Sequence, residues 1–510
     1  MSLSWIEQAK KYNSPLSVVA GFLLRSRQTQ AERAKRRTQE IQQLRKSLEQ
    51  QRQTIREQHE QLAEKDSQIA RLENQWLRKQ SPTLPVDPRL PHHEFGPKMI
   101  SLCVNLSREI GLRPTCSALK IFFDWLGASP EKLPERTTIR NWLMRVGVAA
   151  MEQPIEPADD WILLADHSNQ VGVEKVLAVL GVRASQLPPP GVSLSHEDMR
   201  VLMLQPGVSW KREDMANAYQ TLAERMGNPL ALLIDGAVEL REGAEILQKS
   251  GEKDVIILGD FKHFAANVLK RVVGGDERYS TFSSQLGFTR SGIQQTKLAH
   301  LTPPSPKPKS RFMNLERTLS WAQMVLWHLG HPYSESRKGI DVAYVNEKLG
   351  WLRKFRNDIQ RWSQCQAIVS TSLTFINEQG LFQGAADMLH ACIEPLMTCH
   401  ASTHVGNQLL DYVRQSEAKL DPTQRLPLST EILESSFGLF KQLERQHSKG
   451  GFTSLLAAFG ALLRPSTPAT IRRDFELVST KRMRQWVSDN LRTTLTSKRQ
   501  TAYAEFVNAA

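Results

Sequence analysis

The chain has 510 residues, of which 40% are hydrophobic and 23% charged, so it is too apolar for a disordered protein and long enough for about two to four domains. Its formal net charge of +13 favours a polyanionic partner, because a basic surface gains affinity by releasing phosphate counterions. Five cysteines without a CxxC pair argue against a disulfide framework, and no apolar run reaches the roughly 20 residues that span a bilayer, so no membrane partner is expected.

The first predicted element is a long helix within residues 1–80. Its sequence from about residue 26 onward contains neither proline nor glycine, and apolar residues recur every seven positions from Ile41 to Trp76. This heptad pattern predicts a coiled coil through which the chain would form a homo-oligomer, with a single solvated helix as the alternative. Residues 81–97 contain several prolines and are predicted to be a linker.

Three helical patterns follow within residues 98–150, and the last of them is basic on one side. Its apolar positions recur at helical spacing from Ile139 to Val146, and Thr137 and Gly147 are expected to begin and end the helix. The other side carries the candidate DNA-binding residues Arg136, Arg140, Asn141 and Arg145. Three short helices with a basic last one are typical of a helix-turn-helix domain, whose recognition helix enters the major groove of double-stranded DNA. An ordinary helical subdomain with a solvated basic face is the alternative.

From residue 158 the sequence changes to short apolar runs of strand length. Together with the helical stretches between them they give the order βββαβαβα over residues 158–272, which predicts an α/β domain with a mixed sheet flanked by helices. Asp166, Asp235 and Asp260 each end one of the apolar runs. A single carboxylate in that position often only caps a turn, but three in succession favour a shared cation site.

The remainder of the chain is predicted to be helical. Residues 273–425 form a large all-α insertion, residues 426–463 complete the sheet domain with a helix that carries Glu434, and residues 464–510 form a basic C-terminal helical arm. Several tryptophans in the insertion either fill its core or stack on DNA bases.

Four segments carry a family resemblance: LLADHS (163–168), LLIDGAVELREGAEIL (232–247), GDFKHFAANVLK (259–270) and STEILESSFGLFK (429–441). In these segments the chain resembles DDE transposases with an RNase H-like catalytic core and a helical insertion, as in the hAT and Mutator-like groups, with features of bacterial insertion-sequence transposases. In an RNase H-like fold the first and fourth strands are neighbours, so Asp166 and Asp235 would meet at one edge of the sheet. A third carboxylate would come from the helix that contains Glu434.

The resemblance implies that Asp166, Asp235 and Glu434 are the catalytic residues and hold two Mg²⁺ or Mn²⁺ ions. Carboxylates are hard oxygen ligands that suit these ions. Two such ions would activate the attacking water or 3′-hydroxyl and stabilise the leaving oxygen. Glu431, one helical turn before Glu434, is the alternative third ligand. The sequence also departs from the insertion-sequence signature, which has arginine at the position of Thr430.

Further residues take supporting roles in the same resemblance. Asp260 and His263 match a D-x-x-H motif, and His263 is expected to order the active-site face rather than to bind metal. Lys441 lies seven residues after Glu434, which places both side chains on one helix face, and it would hold a phosphate beside the metals. Arg445 on the same helix is another DNA-binding candidate.

The resemblance implies a cytoplasmic, nucleoid-associated transposase that cleaves DNA at the terminal inverted repeats of a mobile element and joins the ends to target DNA. Two alternatives remain open at this point. One is a domesticated, non-catalytic DNA-binding or scaffold protein, and the other is an RNase H-like nuclease or resolvase that does not join strands.

Overall fold

A computed structural model describes residues 16–79, 87–125, 132–169, 175–207, 209–250, 254–305, 315–331, 339–445 and 453–491, together with residue 506. The chain divides into two compact units, Met1–Val86 and Asp87–Ala510. In the first unit the described residues form one helix, α1 (Leu16–Lys79). Its heptad residues Ile41, Leu62 and Ile69 are about half exposed. Such exposure suits a coiled coil, and pairing with a second copy stays a prediction.

The second unit begins with three helices, α2 (Pro97–Ile110), α3 (Leu112–Trp125) and α4 (Arg136–Glu152). Helix α4 begins at Arg136, its N-cap residue Glu135 makes no side-chain cap, and the helix continues through Gly147. The expectation that Gly147 ends this helix is therefore wrong. A Cβ atom at Gly147 would collide with the carbonyl oxygen of Ala457, so the glycine allows a close approach of the segment that contains Ala457.

Helix α4 is buried over residues 142–149. The prediction that Arg145 contacts DNA is wrong, because this side chain is only 7% exposed. It donates hydrogen bonds to the backbone carbonyls of Phe475 and Val478, and its guanidinium lies 3.9 Å from the centre of the Phe475 ring. Arg145 thus stabilises the packing of the C-terminal segment on α4.

The other candidate DNA-binding residues of α4 lie in its first turns, before the buried stretch. Arg136 is exposed, whereas Arg140 and Asn141 are half-buried. Arg140 donates a hydrogen bond to the hydroxyl of Ser454. DNA binding by these three residues, and the helix-turn-helix role of this region, stay predictions.

Five strands form one mixed sheet in the order β3-β2-β1-β4-β5. Their bounds are β1 (Trp161–Asn169), β2 (Lys175–Arg183), β3 (Arg200–Gly207), β4 (Ala231–Ile234) and β5 (Ile256–Gly259). Strands β1 to β3 are antiparallel, whereas β4 runs parallel to both β1 and β5. The helices in and after this sequence of strands are α5 (Arg212–Met226), α6 (Val238–Ser250) and α7 (Phe261–Val272). The predicted order βββαβαβα and the pairing of β1 with β4 are confirmed, and they are compatible with an RNase H-like core.

The two faces of the sheet carry two hydrophobic cores, which follow from the alternation of side chains along β1. Leu163 and Ala165 pack with α5 and α6 in the smaller core. Ile162 and Leu164 belong to the larger core, which includes α4, α7 and the helices that follow. Asp166 continues the second series and therefore lies on the face of the larger core.

The rest of the chain is helical where it is described. Its α-helices are α8 (Glu277–Ile293), α9 (Leu315–Gly330), α10 (Val342–Leu349), α11 (Arg356–Gln379), α12 (Ala385–Ile393), α13 (His400–Glu417), α14 (Glu431–Arg445), α15 (Phe459–Leu463), α16 (Pro468–Leu477) and α17 (Thr480–Asn490). Trp321 and Trp362 are buried in the core, whereas Trp327 is 54% exposed. None of the described helices combines the length and the apolar character needed to cross a membrane.

The segment predicted to be a C-terminal arm packs against the folded unit as far as Leu491. Helices α16 and α17 contact α4, and the side chains of Ile471, Val478 and Met483 are buried. This part is helical and packs on the folded unit, and the assignment of residues 464–510 as a separate basic arm stays a prediction.

Candidate active site at the ends of β1 and β4

Asp166 and Asp235 lie side by side where the pairing of two parallel strands stops. Ala165 and Ile234 are the last pair in the β1–β4 register; Asp166 is the next residue of β1, which continues to Asn169 beside β2, and Asp235 directly follows β4. Leu164 and Leu233, two positions earlier, both face the larger core, so the aspartates share that face of the sheet. The sequence-based expectation that these two residues meet at one sheet edge agrees with this geometry.

The Asp166 carboxylate lies in a strongly negative environment. Burial raises its pKa to about 7, and the negative charges of Asp235, Glu434 and Asp260 act in the same direction. A hydrogen bond of 2.6 Å from the backbone N–H of His167 opposes the shift. Four carboxylates thus interact here, a repulsion that a bound cation would relieve.

Asp235 is held by two hydrogen bonds to its Oδ1 atom, from the Gly236 N–H at 2.6 Å and from His263 Nδ1 at 2.9 Å. Burial raises the pKa of Asp235, but these two hydrogen bonds and the charge of His263 outweigh it and leave the pKa below its usual value. The hydrogen bond to Asp235 raises the pKa of His263 in turn. His263 therefore holds the Asp235 carboxylate in place, and its role in ordering an active-site face stays a prediction.

Asp260 connects α7 to the segment that precedes α14. It is the N-cap of α7 and accepts hydrogen bonds from the backbone N–H groups of Lys262 and His263. It also accepts one from the N–H of Thr430 at 3.0 Å, and Phe261 N–H donates to the Leu428 carbonyl at 2.9 Å. These bonds bring the start of α14 to the end of β5.

Lys262 binds both glutamates at the start of α14. Its Nζ atom lies 2.9 Å from Glu434 Oε2 and 3.1 Å from Glu431 Oε1, and the lysine side chain is 17% exposed. Burial lowers the pKa of Lys262, but the two carboxylates outweigh it and raise the pKa. Glu431 also accepts a hydrogen bond of 2.8 Å from Asn377 Nδ2.

The two glutamates differ in what they affect. The charge of Glu434 raises the pKa values of Asp166 and Asp260, so it acts on the aspartates. Burial raises the pKa of Glu431, but the charge of Lys262 and the hydrogen bonds from Asn377 and Lys262 lower it below its usual value. Glu431 is thus compensated by its own partners.

Lys262 and Asn377 were not identified from the sequence. Lys262 could have been noticed, because it lies inside the D-x-x-H motif between Asp260 and His263. Lys441 is half-buried on α14, two helical turns after Glu434, and Arg445 is exposed as the last residue of that helix. Their roles in DNA binding stay predictions.

A cleft of about 1090 Å³ opens beside Asp235 and His263. It continues along the outer edge of β5, where α6 and α7 form its walls and Tyr412 and Lys419 of the α13 region complete it. Lys419 Nζ donates a hydrogen bond to the Ile257 carbonyl of β5 at 2.9 Å. A volume of this size is enough for a ligand to reach Asp235 from one side.

The donor set suits a hard divalent cation, because Asp166, Asp235 and Glu434 supply carboxylate oxygens. In the described parts of the chain, however, no three His, Cys, Asp or Glu side chains are arranged as a metal site. Each of these carboxylates has another partner instead: Asp166 the N–H of His167, Asp235 His263, and Glu434 Lys262. A metal bound by all three would require Glu434 to leave Lys262.

The fold and this site define a mixed α/β protein in which the carboxylates of Asp166, Asp235, Asp260 and Glu434 interact beside the parallel strands β1, β4 and β5. No model of a known protein family matches the chain, and no curated protein is similar to it at a significant level. Among solved structures, the chain is similar to the Drosophila P element transposase strand transfer complex. The TM-score is 0.37 at 14% sequence identity, over 76% of this chain and 94% of that chain. A likeness at this level does not establish a shared fold or function.

Proposed function

We propose that the chain is a DDE DNA transposase, which cleaves DNA at the ends of a mobile element and joins these ends to target DNA. The observation that carries the proposal is that Asp166 and Asp235 lie side by side on neighbouring strands, and that the charge of Glu434, from a third part of the chain, acts on Asp166. Mutual repulsion of neighbouring carboxylates costs stability, and carboxylates with shifted pKa values cluster at functional sites. The segments that resemble DDE transposases contain all three residues.

In the proposed reaction Asp166, Asp235 and Glu434 would hold two Mg²⁺ or Mn²⁺ ions. These ions would supply the activated water or 3′-hydroxyl and stabilise the leaving oxygen. The protein would hold the metal ligands in place, since β1 and β4 position the two aspartates and His263 orients Asp235. DNA would approach from the cleft beside Asp235.

Glu434 is the preferred third ligand because its charge acts on Asp166. Glu431, in contrast, accepts hydrogen bonds on both carboxylate oxygens, from Lys262 and from Asn377. We therefore assign Glu431 to the support of Lys262 and of the α11–α14 packing. The two glutamates provide a matched pair for an experiment, since they lie one helical turn apart.

The test is a strand-transfer assay with pre-cleaved DNA ends taken from the sequences that flank the gene, in the presence of Mg²⁺. Asp166→Asn, Asp235→Asn and Glu434→Gln are each expected to lower the yield of joined product at least about 100-fold, because each removes a metal-binding charge. Glu431→Gln is the control and should retain activity within about tenfold. Thermal unfolding and DNA binding check that every variant is folded.

Wild-type activity in Asp166→Asn or Glu434→Gln would refute the metal-binding assignment. If the wild type cleaves DNA that contains an intact end but does not join pre-cleaved ends to target DNA, the nuclease or resolvase alternative is supported instead. DNA binding without cleavage, in the wild type, would support a non-catalytic DNA-binding protein.

A further inference from the structure

A group of arginines lies outside the acidic site, where the start of β3 meets the C-terminal helices. Arg200 at the start of β3 donates hydrogen bonds to the carbonyls of Gln153 and Pro154. The Gln153 side chain donates to Asp474 Oδ1 at 3.2 Å. The same oxygen lies 3.6 Å from an Arg473 nitrogen and 3.8 Å from an Arg464 nitrogen. Two arginines therefore lie beside the Asp474 carboxylate, and Arg200 is connected to it through Gln153.

Arg225, in the last turn of α5, adds a fourth positive charge to this group. Burial lowers the pKa of Arg200, and the charges of Arg464, Arg225 and Arg473 lower it further. Arg225 and Arg473 are exposed to solvent, whereas Asp474 is only 1% exposed. The solvent-facing part of the group is therefore positive, and we call Arg200, Arg225, Arg464 and Arg473 the arginine surface.

The strand register places the arginine surface away from the acidic cluster. Arg200 pairs with Gly181, and Gly181 pairs with Leu163, which lies three residues before Asp166 on β1. Three residues along a strand are about 10 Å, and two strand spacings across the sheet are also about 10 Å. The backbone of Arg200 is therefore about 14 Å from that of Asp166, well within the length of one turn of duplex DNA.

Repulsion among four arginines costs stability unless an anion compensates it, and Asp474 supplies a single negative charge. Guanidinium groups bind phosphate oxygens in pairs of hydrogen bonds, which makes arginine the preferred residue for contacts with nucleic-acid backbones. The chain as a whole carries a net charge of +13, which favours the same kind of partner.

We propose that the arginine surface binds the phosphate backbone of duplex DNA, at a place separate from the acidic cluster. The proposal rests on the proposed function only for the choice of DNA as the anion. It also supplies the basic contact that Arg145 was expected to make, since Arg145 is buried in the same region. Backbone contacts of this kind position DNA without reading its sequence.

The experiment measures the salt dependence of DNA binding by fluorescence anisotropy, with a labelled 30-base-pair duplex of arbitrary sequence (about three helical turns) and EDTA present. The double variant Arg225→Glu/Arg473→Glu changes two exposed side chains. The control Arg356→Glu/Arg414→Glu makes the same change of charge at two exposed arginines of α11 and α13.

We expect the arginine-surface variant to lower the slope of log affinity against log salt by about 1.8, because each lost phosphate contact contributes about 0.9. Its affinity in about 0.1 M salt should fall at least about tenfold further than that of the control variant, whose slope should match the wild type. Equal slopes and equal losses in the two double variants would overturn the proposal.

The binding assay tests the arginine surface independently of the proposed enzymatic activity, because EDTA prevents metal-dependent chemistry in it. Loss of slope in the arginine-surface variant, together with full strand transfer by Asp166→Asn, would retain the DNA surface and reject the acidic triad. If the two double variants have equal slopes and Asp166→Asn is inactive in strand transfer, the acidic triad is retained and the DNA surface is rejected.

Discussion

Replacing Asp166 by asparagine is expected to stabilise the folded protein at pH 8 when no divalent metal is present. The pKa of Asp166 rises from its ordinary 3.8 to about 7, because the carboxyl is largely buried and lies among other carboxylates. A shift of about three pKa units corresponds to about 4 kcal/mol at about 1.4 kcal/mol per unit. Because the residue retains some exposure to solvent, screening reduces the expected gain to about 2 kcal/mol.

The sign of the pH dependence follows from linkage. An acid whose pKa is raised by folding binds its proton more tightly in the folded state. Its penalty is absent below pH 3.8, grows as the pH rises towards about 7, and is complete above that value. Asparagine carries no charge, so the difference in stability between the variant and the wild type should grow over the same interval.

Urea denaturation at pH 5 and pH 8, with EDTA, measures both effects. The stability gain of Asp166→Asn should be about 2 kcal/mol at pH 8 and smaller at pH 5. Asp160→Asn is the control, since hydrogen bonds from Ser185 and Arg183 outweigh burial and lower the pKa of Asp160. That variant should be destabilised. An Asp166→Asn protein that is no more stable than the wild type at pH 8 would contradict the account of this site.

Two further substitutions test the surroundings of the site and the core. Lys262→Gln should increase Mn²⁺ affinity about tenfold in calorimetry, because Glu434 loses the cation that competes with the metal. Lys419→Gln is the control and should leave the Mn²⁺ affinity unchanged. An unchanged affinity in Lys262→Gln would contradict the prediction. Gly147→Ala should destabilise the protein by about 1–3 kcal/mol in urea denaturation, because its Cβ would collide with Ala457. Gly287→Ala, a helical position with open space around it, should cause no such loss.

The strands and the placement of the two aspartates could be predicted because both depend on local sequence. Buried parallel strands appear as continuous apolar runs, and the residue after each run lies at the same edge of the sheet. The pairing of Ala165 with Ile234 shows that this reasoning holds for Asp166 and Asp235. For Asp166 the end of the apolar run marks where the pairing with β4 stops, because β1 itself continues to Asn169 beside β2.

The burial of α4 could not be predicted in the same way. Helical periodicity reveals one apolar face, and Arg145 lies away from it, so a solvated position was expected. Its partners Phe475 and Val478 are 330 and 333 positions away in the sequence. The hydrogen bonds of Arg145 are accepted by backbone carbonyls of a distant segment. The sequence near Arg145 therefore gives no sign that this side chain is buried.

The hydrogen bonds of the acidic residues distinguish those that support the fold from those available for chemistry. Asp260 accepts three backbone hydrogen bonds, from Lys262, His263 and Thr430, and is 4% exposed. Moving Asp260 would break the connection between α7 and α14. Asp166, in contrast, accepts its hydrogen bond from the residue next to it in the chain. Because that bond fixes no other element, the Asp166 carboxylate can turn towards a cation without disturbing the fold, which a metal ligand requires.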